Sequence, residues 1–338
     1  MMNILLIDDT PQVQKDFEEY VNLPEYESIV KLISIDNVEK GIKLLESEPE
    51  KFDIAIVDMR FGQDPTKGND FIKKINETCL RIPVFVYTNT PDEIDCDCYQ
   101  WYCKDQRGVQ EILDECISLG KTGLINILGH RGLLESHLKY IFQTNLLPSI
   151  KKGNWFTYAE RDPSKTEKAL LRYTLNHIQQ ILDEDEEKYY PEEVYIYPPN
   201  KEELQTGGIV QCLKSNTYLL VISPACDLAN KKTERIQLLE IEDLEDVFSN
   251  RCKKNAEENQ EKLKKNTYAL FYHYLPKTGF FSGGFVNFRR IHSVKPRQVK
   301  NLFSSPLLQI SPSFCKDIVS RFSSYYARQG QPEIEEIS

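Results

Sequence analysis

The first 125 residues alternate short apolar runs with amphipathic stretches. Residues 3–7 are apolar and stop at Asp8-Asp9, which predicts a buried parallel strand ending in acids. Thr10-Pro11 is a helix start, and Val13, Phe17 and Tyr20 follow at helical spacing. Residues 28–35 predict a second strand, and 38–45, with Ile42, Leu44 and Leu45, a second helix. Residues 52–57 predict a third strand ending at Asp58, and 68–75 a third helix. Residues 83–87 predict a fourth strand ending at Thr88. Such alternation predicts a doubly wound parallel α/β sheet, helices on both faces. Chemistry in these sheets gathers at the carboxyl ends of the strands.

The pattern then changes twice. Leu134, Leu138, Ile141 and Phe142 predict a helical apolar stripe running up to Pro148. Ser164 and Glu167 have the spacing of a capping box, and Leu171, Leu175, Ile178 and Leu182 follow on one helix face. The acids 183–187 read as the solvated end of that helix. From about residue 193 the chain turns to short strands: 193–197, 209–210, 218–222, 236–241 and 268–275. Residues 279–288 read as a hairpin with Gly283-Gly284 at its turn. Ser311-Pro312 opens a last helix with Phe314, Ile318, Phe322 and Tyr325 inward, before a polar tail at 329–338. The implied domains are 1–125, a helical connector at 126–200, and a mainly-β output module at 201–338 with a terminal helix.

Charge sharpens that division. The 338-residue chain carries net charge −10, distributed as −12, −2 and +4 over the three segments. The acidic front argues against nucleic acid binding there. No apolar run reaches membrane-spanning length, and the start lacks the basic leader of a signal peptide, so a cytoplasmic protein is expected. The nine cysteines then read as free thiols. Cys96, Cys98 and Cys103 lack the second pair or histidine that zinc would need.

The strand ends bring Asp8, Asp9, Asp58 and Thr88 together. Three converging carboxylates repel one another, and a hard divalent cation such as Mg2+ would relieve this. A carboxylate beside such a cation is a nucleophile toward phosphorus. On Ile7-Asp8-Asp9, Ile56-Val57-Asp58-Met59, Gly68-Asn69-Asp70-Phe71 and Pro83-Val84-Phe85-Val86-Tyr87-Thr88, the first third of the chain resembles the receiver domain of two-component response regulators. The resemblance implies a flavodoxin-like sheet in which Asp58 accepts a phosphoryl group. It implies that Asp8, Asp9, Asp58 and the Arg60 carbonyl hold Mg2+, and that Thr88 is the switch hydroxyl. Lys104 matches the lysine of the fifth strand, and Trp101 the switch aromatic. The sequence departs from the family at Asp105, where proline is usual, and in the long loop 62–67. The short stretch from Thr88 to Lys104 predicts a reduced fourth helix.

The third module is weakly similar to the SH3-like barrel of PemK-type toxins, at residues 204–210, 218–223 and 284–294. That family includes RNA-cleaving enzymes, but Gly207-Gly208 stands where its glycine-acid pair would be. Arg289, Arg290, Lys295 and Arg297, beside Phe285 and Phe288, are candidate nucleic-acid contacts, with a solvated strand face as the plainer reading. Cys226, with His273 or His292, is a candidate Cys-His pair, and a simple turn with Asp227 capping backbone amides is preferred. His137 reads as a packed histidine, and a phosphotransfer role for His177 is disfavoured.

The expectation is a response-regulator-like protein of a two-component phosphorelay. A histidine kinase or ATPase-type phosphodonor would load Asp58 and so control the output module. Enzymatic activity is expected only as the receiver's own phosphorylation and dephosphorylation. The whole arrangement resembles receiver proteins encoded beside ATPase-type partners in bacterial antiphage or conflict systems, and that resemblance implies such a setting. The alternatives are a receiver-regulated RNA-cleaving or nucleic-acid-binding effector and a phosphorylation-independent adaptor with a degenerate receiver. A homodimer stays open.

Overall fold

The computed structural model describes residues 1–78, 80–129, 132–182, 188–252 and 256–328. The acidic run 183–187 and the tail 329–338 lie outside them. The chain divides into two compact units, Met1–Asp185 and Glu186–Ser338. The helices of the middle segment therefore belong with the first unit.

The first unit begins with β1 (Met2–Ile7), α1 (Pro11–Val21), β2 (Val30–Ile35), α2 (Val38–Ser47), β3 (Ile54–Val57) and α3 (Lys67–Glu77). It continues with β4 (Val84–Thr88), β5 (Gln100–Cys103) and α4 (Val109–Lys121). The five strands are parallel, in the order β2-β1-β3-β4-β5. This is the flavodoxin-like order, with its crevice beyond the ends of β1 and β3. Alternate strand residues feed two cores, which is why the strands read as continuous apolar runs. Ile4, Leu6, Ile56 and Phe85 pack on Phe17 of α1 and Ile112 of α4. Leu5, Ile7, Val57 and Val86 pack on Val38 of α2 and on Phe71 and Ile72 of α3.

Between β4 and β5 there is no α-helix, only a 3-10 turn at Pro91–Glu93. Ile94, Cys96 and Cys98 pack against the α2/α3 core where a fourth helix would lie. Asn69 of α3 is buried and fastens this run: its amide donates to the Glu93 carbonyl (2.8 Å), and its oxygen accepts from the Asp95 amide (3.2 Å).

Five helices follow: α5 (Leu124–Leu128), α6 (Leu133–Ile141), α7 (Leu147–Lys152), α8 (Trp155–Arg161) and α9 (Pro163–Leu182). A π-helical turn, Phe142–Leu146, joins α6 to α7. It breaks the 3.6-residue period, so Ile141 is buried while Phe142, expected on the same stripe, is exposed. At α9 the expected capping box gives way to Asp162, whose carboxylate accepts from the Lys165 amide (3.0 Å) ahead of Pro163.

The second unit contains β6 (Tyr195–Ile196), β7 (Gly208–Gln211), β8 (Tyr218–Val221), α10 (Ala225–Ala229), β9 (Ile236–Glu242), α11 (Leu244–Arg251) and α12 (Ala256–Lys264). It ends with β10 (Tyr272–Leu275), β11 (Gly284–Val294), α13 (Val299–Leu302), β12 (Leu308–Ile310) and α14 (Pro312–Tyr326). The seven strands form one curled antiparallel sheet, β10-β11-β9-β8-β7-β12-β6. Its edge strands approach each other, since the Tyr195 hydroxyl donates to the Pro276 carbonyl (2.7 Å) just beyond β10. Ile318 of α14 is buried against the inner core of Val286, Phe288, Leu239 and Ile310, with Phe314, Phe322 and Tyr325 packed around it.

The expected hairpin within 279–288 is displaced. The turn is the loop between β10 and β11, where Leu275 pairs with Gly284, and Gly283 takes the left-handed conformation that closes it.

Candidate functional site

Asp8 and Asp58 stand just past the ends of neighbouring parallel strands, with Ile7 paired to Val57. Both side chains are almost wholly buried. Lys104, just past the end of β5, spans them: its Nζ lies 2.7 Å from Asp8 Oδ2 and 2.6 Å from Asp58 Oδ2. Burial pushes the Asp8 carboxyl above its ordinary pKa, against the opposing pull of Lys104. Burial works against the Lys104 charge too, but the two carboxylates outweigh it and hold its pKa above the usual value.

The loops after these strands supply the other partners. Asp8 Oδ1 accepts from the Thr10 amide (2.8 Å), and the Arg60 amide lies 3.4 Å from Asp58 Oδ1. Asp9 points toward the loop after Asp58, where Oδ2 accepts from the Gly62 amide (2.7 Å). Gly62 has φ 60°, and this left-handed turn presents its N–H to Asp9. One oxygen each of Asp8, Asp9 and Asp58 lies within 4.8 Å of the others. It is the one group of three or more potential metal-ligating His, Cys, Asp or Glu side chains among the described residues.

Three carboxylates against one ammonium leave a formal excess of two negative charges. The donors are all oxygens, several amides already orient them, and the mouth is open on the Asp9 side. This set suits a hard divalent cation with water completing its shell. Asp8, Asp9 and Asp58 would hold it, with the Arg60 carbonyl two residues past Asp58.

Thr88 ends β4 fully buried, its Oγ1 accepting from the Thr90 amide and lying 3.2 Å from Thr90 Oγ1. Its carbonyl accepts from the Lys104 amide (3.1 Å), which ties the β4 end to the lysine. Trp101 lies on β5 opposite Val86, with its side chain about half exposed. Two neighbours carried no role in the sequence reading. A Cβ at Gly68 would lie 2.2 Å from the Asp58 carbonyl oxygen, so α3 approaches this strand end only because residue 68 lacks a side chain. Asn69, next to it, holds the β4–β5 connection. In sequence Gly68-Asn69 stood only as a helix start and as part of the motif that carries the receiver resemblance.

The C-terminal candidates are spread apart in purpose. β11 is bulged between Asn287 and Ile291, and Arg289 and Arg290 lie in the bulge. Arg289 lies over the Phe271 ring (3.9 Å to its centroid) and donates to the Tyr325 hydroxyl (2.7 Å). Arg290 is paired with Glu240 (2.5 Å) and Glu242 (2.8 Å). Lys295 and Arg297 are exposed around the turn Pro296–Gln298. Phe285 and Phe288, expected to interleave with the arginines, are wholly buried core residues. The strand face is therefore built by packing and local ion pairs.

Cys226 lies in the short helix α10, its Sγ 3.6 Å from Asp227 Oδ1. His273 is buried on β10 with Nδ1 lacking a hydrogen bond, and His292 lies 3.1 Å from Glu240. In the first unit, His177 packs edge-on against Tyr173 with a buried, unpartnered Nε2, which does not suit an exposed phosphotransfer histidine. Cys96 Sγ is bonded to Asn69, and Cys98 packs in the core.

No family model and no curated protein matches the sequence. Among solved structures, the chain is similar to a response regulator receiver domain protein from Clostridium thermocellum. Identity is 17% over 36% of this chain and 98% of that one, with a TM-score of 0.29. It is similar to the response regulator protein TrrA from Thermotoga maritima, solved in complex with Mg2+-BeF. There identity is 17% over 35% of this chain and 99% of the other, with a TM-score of 0.30. RcsB from Salmonella enterica, solved bound to a promoter, aligns at 19% identity over 36% of this chain and 99% of that one, TM-score 0.30. Strand order, crossover helices and the acidic strand ends carry the reading independently of those scores: the N-terminal sheet of this chain has the receiver fold of response regulators.

Proposed function

We propose that the N-terminal unit is a phosphorylatable receiver in a signalling protein, with Asp58 as the phosphoacceptor. The observation that carries this is the ammonium of Lys104 shared by the buried Asp8 and Asp58, with Asp9 completing the acidic triad. An Asp58 oxygen attacks the phosphorus of a small phosphodonor or of a phosphohistidine on a kinase. The new O–P bond forms as the bond from phosphorus to the donor's leaving group breaks, and that group departs with its electron pair. Lys104 moves its hydrogen bond from the carboxylate to a phosphoryl oxygen, where the charge now resides. Thr88 offers its hydroxyl to a second phosphoryl oxygen, giving up its bonds to Thr90. A Mg2+ ion, when bound by Asp8, Asp9, Asp58 and the Arg60 carbonyl, supplies charge neutralisation and orientation for the transfer.

Regulation follows from the bonds exchanged. Pulling Thr88 inward alters the end of β4, and the Lys104 amide is attached to the Thr88 carbonyl. Trp101, on the same edge strand, moves with it, and this edge is the face a partner reads.

Incubation of the full chain with acetyl phosphate and Mg2+, followed by intact mass, tests the reading. One phosphate adduct is expected, absent from Asp58→Ala and absent when the divalent cation is chelated. Wild-type protein that stays unmodified, or an adduct retained in Asp58→Ala, overturns it.

A further inference from the structure

Helix α9 has two apolar faces, and only one is used. Thr166, Leu170, Tyr173, His177 and Ile181 are buried or half-buried, with Tyr173 against the Trp155 ring of α8 (centroids 5.7 Å apart). That face covers the neighbouring helices. The second face consists of Leu171, Leu175, Ile178 and Leu182. Its three leucines are 60%, 53% and 56% exposed. At 3.6 residues per turn these four side chains fall within an arc of about 60°. The centre of this arc lies about 130° around the helix from the packed face. Three leucines in line, facing water beside a half-buried Ile178 in a helix already anchored on its other side, require a separate explanation.

Its spacing supplies one. The steps of four, three and four residues are those of alternating d and a positions in a heptad repeat, the pattern of a helix that meets another helix along a seam. The positions flanking the seam on either side are Arg172, Thr174, Gln179 and Ile181, which bring only one charge. We infer that this stripe is the contact between two copies of the chain, with the two α9 helices packed antiparallel about a two-fold axis near Asn176-His177.

Two properties of the sequence select that occupant and that direction. First, the stripe is self-complementary under the two-fold. Leu171 meets Leu182 of the second copy, and Leu175 meets its Ile178, so every layer pairs one large aliphatic side chain with another. Second, the charge of α9 is confined to one half. Its first half carries Lys165, Lys168 and Arg172 against Glu167 alone, while its second half, from Tyr173 to Leu182, carries no acid, lysine or arginine. Antiparallel pairing sets the basic half of each copy against the uncharged half of the other. Parallel pairing sets two basic halves side by side, and like charges at that spacing repel.

Sedimentation velocity on the full-length chain tests the inference. Wild type is expected to show a concentration-dependent monomer–dimer equilibrium. Leu175→Asp and, separately, Leu171→Asp should each shift the equilibrium toward monomer by about tenfold or more, since each puts a charge in the seam. Both positions are exposed in the single chain, so an unchanged circular dichroism spectrum is expected and separates lost association from lost folding. A wild-type chain that stays monomeric to about 100 µM, weaker than most specific homodimers, overturns the inference. So does a dimer indifferent to both substitutions. For direction, chains carrying Leu171→Cys are mixed with chains carrying Leu182→Cys and oxidised. A disulfide between positions 171 and 182, mapped by peptide mass, is expected. A bridge joining two copies at position 171 overturns the antiparallel arrangement.

Discussion

The two units each contain a cation held by two carboxylates, and the contrast between them shows what makes one a candidate site. In the first unit Lys104, 13% exposed, lies between Asp8 and Asp58, at 1% and 8%. In the second, Arg290, 55% exposed, lies between Glu240 and Glu242, at 18% and 14%. Arg290 lies on an open strand face with its cation in water. The Lys104 group is buried at strand ends, keeps a surplus acid in Asp9, and opens on a crevice. Charges withdrawn from water are strongly coupled, so adding or removing one moves all the others.

The largest effect should come from removing the buried cation. Lys104→Met leaves Asp8 and Asp58 facing each other without compensation, and about 3–5 kcal/mol of stability should be lost in urea unfolding of the first unit's transition. Millimolar Mg2+ should restore a substantial part of that loss in the variant. A variant as stable as wild type without Mg2+ would mean that the ammonium is not balancing the pair.

Gly68→Ala drives a methyl group against the Asp58 carbonyl, which is backbone and cannot swing aside. A loss of about 2 kcal/mol is expected, in the range of overpacked sites. Phosphate incorporation should fall with it.

A third prediction concerns acid lability in the second unit. Burial, helped by Arg321, pushes His273 down to about 3, and Asp317, at 3.8 Å from Nδ1, is mostly in water and offsets little. The folded chain thus keeps His273 neutral where the unfolded chain protonates it. Its stabilising effect is complete above pH 6.5 and declines as pH falls toward 3, with a slope of up to about 1.4 kcal/mol per pH unit. His273→Phe should flatten the pH dependence of that unit's unfolding between pH 6 and about 4.5; an unchanged slope would assign the acid sensitivity to other groups.

The smallest effect closes the comparison. Arg290→Gln should change stability by less than about 1 kcal/mol, because an exposed pair gains little. If its cost matched that of Lys104→Met, burial would not be the property that separates the two groups.

The N-terminal unit was readable because its signals are local. Each strand is one apolar run, each run stops at a polar residue, and parallel strands bring those stops to one edge. Asp8, Asp9, Asp58 and Thr88 follow from that logic alone. Lys104 does not: it ends a short strand reached through a helixless connection, and only the resemblance pointed to it. The connection's replacement for a helix depends on Asn69 across more than twenty residues, and nothing local announces such a bond. In the second unit the strands were largely found, but the strand pairing and the bulge at Arg289-Arg290 were not. Antiparallel order is set by contacts between distant segments, so the basic stretch read as a free surface when Glu240, Glu242, Phe271 and Tyr325 already engage it. The α9 leucines were found by their period, but period alone does not say whether a face is buried or waiting.

Gly68 and Asn69 are adjacent yet press on different parts of the first unit. The glycine's backbone leans on the strand end that carries the aspartate, while the asparagine's amide grips the run that leads to the lysine. A twist in the first turn of α3 would therefore pull on both sides of the acid–ammonium bridge at once. The bridge has a mechanical handle as well as an electrostatic one, and it lies outside the pocket that phosphate would enter.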